Sequence, residues 1–358
     1  MKSEKLLTLI ACAASCFQLL VGGSVVVVAQ STRFLGRGVT TNGKAITEKD
    51  LADFAATGGN LVRLQFLSAP LRDLTPPYAI NEGNFALVER DLDWCAKYNL
   101  NCIVDPHEMP GMEKNRSAAD PMWNDRKFGD MAVSLWAFIA KRLSRRGSEV
   151  AGYDLMNEPA VPIGARQNSV GDWNSLANRM VAAIREYDSR HPINIESPDV
   201  MIEHRPVEGR LKAIQSYFSP PADSNVIYSI HVYDPMALTY ARQPGVHYPG
   251  MINGRMWNAQ TIAQDLAPVV AFQNKYHVQI YVGEVGCARW TGDDGNRWLK
   301  DVLDFFEAHH WSWTYINWRG APIWDAEKNN YDADDEQRYA TTPRLKLLEQ
   351  YWTLGSHP

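Results

Sequence analysis

Cysteine is scarce in this chain, basic charge is not in excess, and only one apolar run is long enough to concern a membrane. Five Cys stand among 358 residues, and Cys12 and Cys16 fall in a leader-like N-terminal stretch. The other three, Cys95, Cys102 and Cys287, permit at most one disulfide and leave a thiol over. None has metal-site spacing, and buried structural positions are expected for all three. A formal charge of −5 leaves no cationic footprint, so nucleic acid is not an expected partner. No Gly/Ser/Pro-rich linker, low-complexity segment or short-period repeat interrupts the chain after about Phe34, which argues for one folding unit.

The single long apolar run lies at the N-terminus. Lys2 and Lys5 precede an uncharged stretch from Leu6 to Ala29, and Val27-Val28-Ala29 offers small residues for cleavage before Gln30. A basic segment followed by an apolar one is the pattern of an export signal. The run is also long enough to remain as a membrane anchor, and Leu9-Ile10-Ala11-Cys12 resembles a lipoprotein processing box. The expected organisation is a signal peptide over 1–29 and one domain over 30–358, secreted or periplasmic and monomeric. No membrane contact is expected after cleavage, and an anchored form is the alternative. No appended binding module is expected.

What the chain does contain is ordinary core material and many aromatic rings. Hydrophobic residues make up 45% and charged residues 22%, enough for a full core. Eight short apolar runs recur: Phe34–Val39, Asn60–Phe66, Asn101–Asp105, Val150–Asn157, Ile193–Glu196, Val226–His231, Gln279–Gly283 and Trp311–Asn317. Helical patterns lie near Thr47–Thr57, Phe85–Tyr98, Asp125–Arg146, Asp172–Arg190, Ala259–Tyr276 and Gly295–His309, with Thr47 and Asp50 placed as a capping box. The fifth and sixth helical layers are the least distinct. Eight strands separated mostly by helices predict a parallel sheet closed into a (β/α)8 TIM barrel, whose site would lie at the C-terminal ends of the strands.

Polar residues gather at those ends: Arg63 in the second strand, His107 after the third, Asn157 and Glu158 after the fourth. His231 and Tyr233 follow the sixth, Glu284 the seventh and Trp318 the eighth. Strands four and seven face each other across a barrel mouth, so Glu158 and Glu284 can converge on one sugar ring. Cleaving a glycosidic bond needs a proton for the leaving oxygen and a nucleophile for the anomeric carbon, which two carboxyl groups supply.

The run Tyr153-Asp154-Leu155-Met156-Asn157-Glu158-Pro159, with Val282-Gly283-Glu284-Val285-Gly286 further on, resembles glycoside hydrolase family 5, the large cellulase family. Four further segments fall in family order. They are Asn60–Arg63, Val104–Glu108 with its D-x-H pattern, Ser229–Asp234 with H-x-Y, and Trp313–Trp318. The resemblance implies Glu158 as acid/base and Glu284 as nucleophile in a retaining mechanism, with carboxyl groups about 5–5.5 Å apart. It implies that Asn157 binds the sugar 2-OH, that Arg63 and Tyr233 hold Glu284, and that His107 and His231 position the sugar and Glu158. Trp318 would be the platform under the reacting sugar, with Trp313 in the core, although the family usually carries an aromatic where Ile316 stands. Burial beside a negative neighbour should raise the pKa of Glu158 and keep it protonated.

The expected partner is a polysaccharide or oligosaccharide, foremost a β-1,4-glucan cut internally. A β-mannanase or exo-acting relative and a catalytically silent sugar-binding barrel are the alternatives. Tyr240, Tyr248 and Trp257 after strand six, Trp324 after strand eight and Trp123 after strand three are candidate stacking rings. No cofactor or metal is expected. Asp105, His107 and Glu108 lack a second His at ligand spacing, and Asp332–Glu336 lacks an EF-hand pattern. The loops after strands seven and eight show no Gly-rich phosphate cradle.

Overall fold

The structure, a computed structural model, describes residues 34–113, 116–165, 167–240 and 245–354; the leader and its cleavage site lie outside them. Eight parallel strands close a barrel: β1 Arg37–Asn42, β2 Leu61–Gln65, β3 Asn101–Asp105, β4 Val150–Asp154, β5 Ile193–Glu196, β6 Val226–Val232, β7 Gln279–Val285 and β8 Ser312–Ile316. Each pairs with its neighbours in sequence, and β1 pairs with β8 to complete the ring. The helices α1 Glu48–Ala56, α2 Glu82–Lys97, α3 Arg126–Leu143, α4 Trp173–Arg185, α5 Arg210–Ser216, α6 Ala259–Tyr276, α7 Gly292–Ala308 and α8 Pro343–Trp352 follow the strands in turn. The expected (β/α)8 barrel is therefore present.

Local chemistry sets the boundaries. Thr47 and Asp50 form the expected capping box of α1, and Asn81, Asp125, Asp172, Asn258 and Thr342 accept from first-turn N–H groups of their helices. The first strand begins three residues later than its apolar run suggests, because Gly36 sits at φ 135° and breaks the extension. Leu35 instead joins Leu61, Ile103, Ala151, Ile227 and Tyr281 in a separate apolar cluster inside the barrel. Strand side chains alternate, so Leu61, Arg63 and Gln65 step along one inward face from that cluster toward the mouth. The apolar floor thus gives way to a polar upper layer.

Two features were not legible in the chain pattern. Ala160–Pro162, Asp199–Ile202 and Arg205–Glu208 form a three-stranded sheet beside the mouth, and Gly250–Ile252 with Arg255–Trp257 forms a small hairpin. Cys95 at the end of α2 and Cys102 in β3 form a disulfide, while Cys287 is a buried thiol. No helix among the described residues is long and apolar enough to cross a membrane.

Candidate active site

The upper layer is organised around one buried guanidinium. Arg63 is fully buried and contacts four carboxylates: Asp154 at 2.7 Å, Glu284 at 2.7 Å, Glu196 at 2.9 Å and Asp105 at 2.9 Å. It also donates to Asn157 Oδ1 at 3.2 Å. One cation facing four anions is stable only if protons redistribute among them. Burial drives the Asp154 carboxyl well above its usual range despite Arg63 and so favours its neutral form. Burial acts in the same sense on Asp105, but Arg63 and His107 outweigh it and hold Asp105 ionised. His231 faces burial that disfavours its charge, yet Glu196 and Glu284 raise its pKa to about 10.

Glu284 projects from the end of β7, where the pairing with β6 slips by one residue between Val282 and Glu284. Such a bulge re-aims the side chain after it. A Cβ on Gly283 would lie 2.9 Å from both His231 Nε2 and Ser229 Oγ, so only glycine lets β7 approach so closely there. Glu284 Oε1 accepts from Arg63 and from Gln65 Nε2 at 2.6 Å, and Oε2 accepts from Tyr233 OH at 2.5 Å. Burial, then the charge on Glu284, pushes the Tyr233 phenol well above its ordinary pKa, so it remains a donor.

Glu158 follows β4 in the left-handed backbone region at φ 44°, held there by its own N–H donating to Glu196 Oε2 at 2.8 Å. A non-glycine residue in that region is strained and needs such support. Its Oε1 contacts His231 Nδ1 at 2.8 Å and Arg210 Nη1 at 2.5 Å, and its Oε2 meets Arg116 Nη1. One oxygen of Glu158, one of Glu284 and a ring nitrogen of His231 all lie within 4.8 Å of one another. Those three atoms could in principle hold a cation. Arg63, Arg116, Arg210 and the protonated His231 already supply positive charge there, which opposes a divalent ion.

Gln65, His107, Asn157, Glu158, His231, Tyr233 and Glu284 all line one cavity of about 760 Å³. His107 Nδ1 is fixed 2.8 Å from Asp105 Oδ2. Arg63 lies beneath the cavity, not in its wall. Trp318 is elsewhere: its Nε1 donates to the carbonyl of Asp50 at 2.9 Å, and its ring packs on Phe54 and Trp352 behind the barrel wall. The expectation of a Trp318 platform is thereby corrected. Three residues after Tyr315 the chain has already turned outward, and Ile316 and Asn317 face the cavity instead. Trp313 is core, as expected.

The expected rise in the pKa of Glu158 is also corrected. Burial does favour its neutral form, but Arg210, His231 and Arg116 outweigh that and hold the carboxyl well below the usual range. Among the candidate stacking rings, Tyr248, Trp257 and Trp123 are buried in packing, whereas Tyr240 and Trp324 line the cavity with centroids 5.4 Å apart. Sequence reasoning passed over Gln65, Asp154, Glu196, Arg116 and Arg210. Gln65, Asp154 and Glu196 stand at strand C-termini, where the barrel rule could have found them. Arg116 sits in the connection after β3 and Arg210 opens α5, positions that carry no such signal.

A closed parallel barrel with paired carboxylates at its mouth is an arrangement suited to cleaving glycosides. The chain belongs to the family described as cellulase (glycosyl hydrolase family 5), whose model matches residues 27–322. Endoglucanase C of Acetivibrio thermocellus is 24% identical over 335 residues, covering 84% of this chain and 89% of that protein. A β-xylosidase of Phanerodontia chrysosporium is 27% identical over 285 residues, covering 75% and 55%. Thermotoga maritima Cel5A in complex with mannotriose superposes with a TM-score of 0.67 at 20% identity, covering 88% of this chain and 97% of that one. The protein is an O-glycoside hydrolase.

Proposed function

We propose that this hydrolase is a retaining endo-β-1,4-glucanase in which Glu284 attacks the anomeric carbon and Glu158 serves as acid and then base. The observation that carries this reading is the short separation of the two carboxylates: one oxygen of each lies within 4.8 Å of the other across the mouth. An inverting pair needs roughly 6.5–9.5 Å to admit a water between them. In the first step the Glu284 carboxylate forms a bond to the anomeric carbon as the glycosidic bond breaks, and Glu158 gives its proton to the departing oxygen. In the second, Glu158 takes a proton from water, whose oxygen displaces Glu284.

Supporting roles follow from position. Arg63, Gln65 and Tyr233 orient the nucleophile with three donors. Asn157 is placed for the sugar 2-OH, and His107 and His231 for orienting the sugar and Glu158. Endo action is supported by a cavity open enough for several sugars, walled by Tyr240 and Trp324. The Acetivibrio thermocellus relative, named an endoglucanase, supports the glucan. Export with 1–29 as a signal peptide and 30–358 as the enzyme fits the Cys95–Cys102 disulfide, since such bonds persist in oxidising compartments.

The test is hydrolysis of cello-oligosaccharides, mannan, β-1,3-glucan and aryl glycosides, with product anomers followed by NMR. Retention of the β-anomer and internal cleavage of the cello-series are expected. Glu158→Gln and Glu284→Gln should each lose nearly all activity on unactivated substrates. First release of the α-anomer, or wild-type rates in either variant, would refute the assignment.

A further inference from the structure

Glu158 presents a difficulty for its own role. Both of its oxygens are occupied by cations: Oε1 by Arg210 and His231, Oε2 by Arg116. A general acid must carry a proton on one oxygen and point it at the leaving group. With both oxygens ion-paired, neither is free to do so. One cation must therefore leave Glu158 when a substrate is bound.

The three partners differ in how firmly they are fixed. His231 is wholly buried between Glu158, Glu196 and Glu284. Arg210 is tied to Asp199 twice, through its guanidinium at 2.5 Å and through its backbone N–H at 2.9 Å, and its side chain is 15% exposed. Arg116 is held least. It lies outside any helix or strand, its side chain is 34% exposed, and Glu158 is its one carboxylate partner among the described residues. Its remaining side-chain hydrogen bond goes to the carbonyl of Glu158 itself at 3.3 Å. Arg116 is the cation that can move.

Once displaced, the guanidinium still lines the cavity, where a bound sugar strips water from it and leaves its charge without a counter-ion. Something in the bound complex must take the place of the Glu158 carboxylate. The group it leaves is a carboxylate, and a planar guanidinium binds a second carboxylate in the same geometry. Lys212 also lines the cavity, exposed and with no carboxylate at ion-pair distance among the described residues. That adds a second free cation to the cavity.

We infer that Arg116 is a specificity residue that exchanges Glu158 for an acidic sugar on the leaving-group side, so that the enzyme prefers β-glucans carrying uronate carboxylates. Binding such a sugar draws Arg116 away from Oε2 and frees that oxygen to take up a proton from solvent and protonate the leaving group. A neutral sugar offers Arg116 no replacement, so Glu158 is released less often and the neutral chain is cut more slowly. This inference rests on the retaining-glucanase reading above.

The experiment compares cello-oligosaccharides with the same oligosaccharides oxidised at C6 to glucuronate. A charged hydrogen-bonded pair of this kind should give roughly a tenfold to hundredfold higher kcat/KM on the oxidised substrates. Arg116→Met should bring that ratio to near one, by slowing the oxidised substrates and, with Oε2 of Glu158 released, speeding the neutral ones. Arg116→Lys should keep part of the preference, which separates charge from loss of packing. Equal wild-type rates on both series, or a preference that survives in Arg116→Met, would overturn the inference and leave the glucanase reading standing. Wild-type protein that cleaves neither series would overturn both.

Discussion

Replacing Arg63 by Met is the most demanding test of how the site is held together. The guanidinium is fully buried and lies within 2.9 Å of Asp105, Asp154, Glu196 and Glu284. Met matches much of its volume, so the loss is chiefly electrostatic. Removing one partner of a buried ion pair costs about 3–5 kcal/mol. Against a total stability of about 5–15 kcal/mol, the variant should still fold, with Tm lower by roughly 10 °C. The pH dependence carries the sharper prediction. In the wild type, Arg63 helps hold Asp105 and Glu196 below their unfolded pKa values, so its contribution is present above about pH 4 and is lost as pH falls further. Without it, burial is less opposed, those carboxyls rise toward their unfolded values, and the variant loses this contribution. The Tm gap between the two proteins, followed by circular dichroism from pH 2 to pH 8, should therefore be small at the acid end and widest near neutrality. A gap that is absent, or constant across that range, would refute the account of Arg63 as the counter-charge of the layer.

Four further outcomes are expected. Changing Cys95 and Cys102 to Ser opens a link with a sequence separation of 7, which loop-closure entropy values at about 2.4 kcal/mol, readable as a lower denaturation midpoint in urea. His231 has a folded pKa of about 10 against an ordinary 6.5, so its stabilisation is complete below about pH 6.5 and is lost as pH rises to about 10. His231→Asn should flatten the alkaline decline in Tm over that window, and an unchanged slope would count against a charged His231. Trp318→Phe should lower Tm while leaving KM unchanged. Trp324→Ala should raise KM roughly 2- to 12-fold, the value of one ring contact; the reverse pattern would restore Trp318 to the site.

Periodicity and polar residues at strand ends were enough to give the barrel, because each strand must bury its outer face under a helix and turn its C-terminal end to the mouth. All eight strands and the α1 capping box could be read this way, and so could the gathering of Glu158, Glu284, Asn157, His107, His231 and Tyr233 around one cavity. Such features depend on local spacing and on a topology that leaves the chain few alternatives. Trp318 failed because the direction of a side chain just past a strand is set by what packs behind it, here Phe54 and Trp352, and not by its distance from the strand end. The charge state of Glu158 failed for a related reason. Its two arginines come from segments remote in sequence, Arg116 in the connection after β3 and Arg210 at the start of α5, and only folding brings them to one carboxylate. Long-range Coulomb terms between such groups leave no trace in spacing or composition. The two carboxylates are written in the chain; the cations that govern one of them are decided by the tertiary structure.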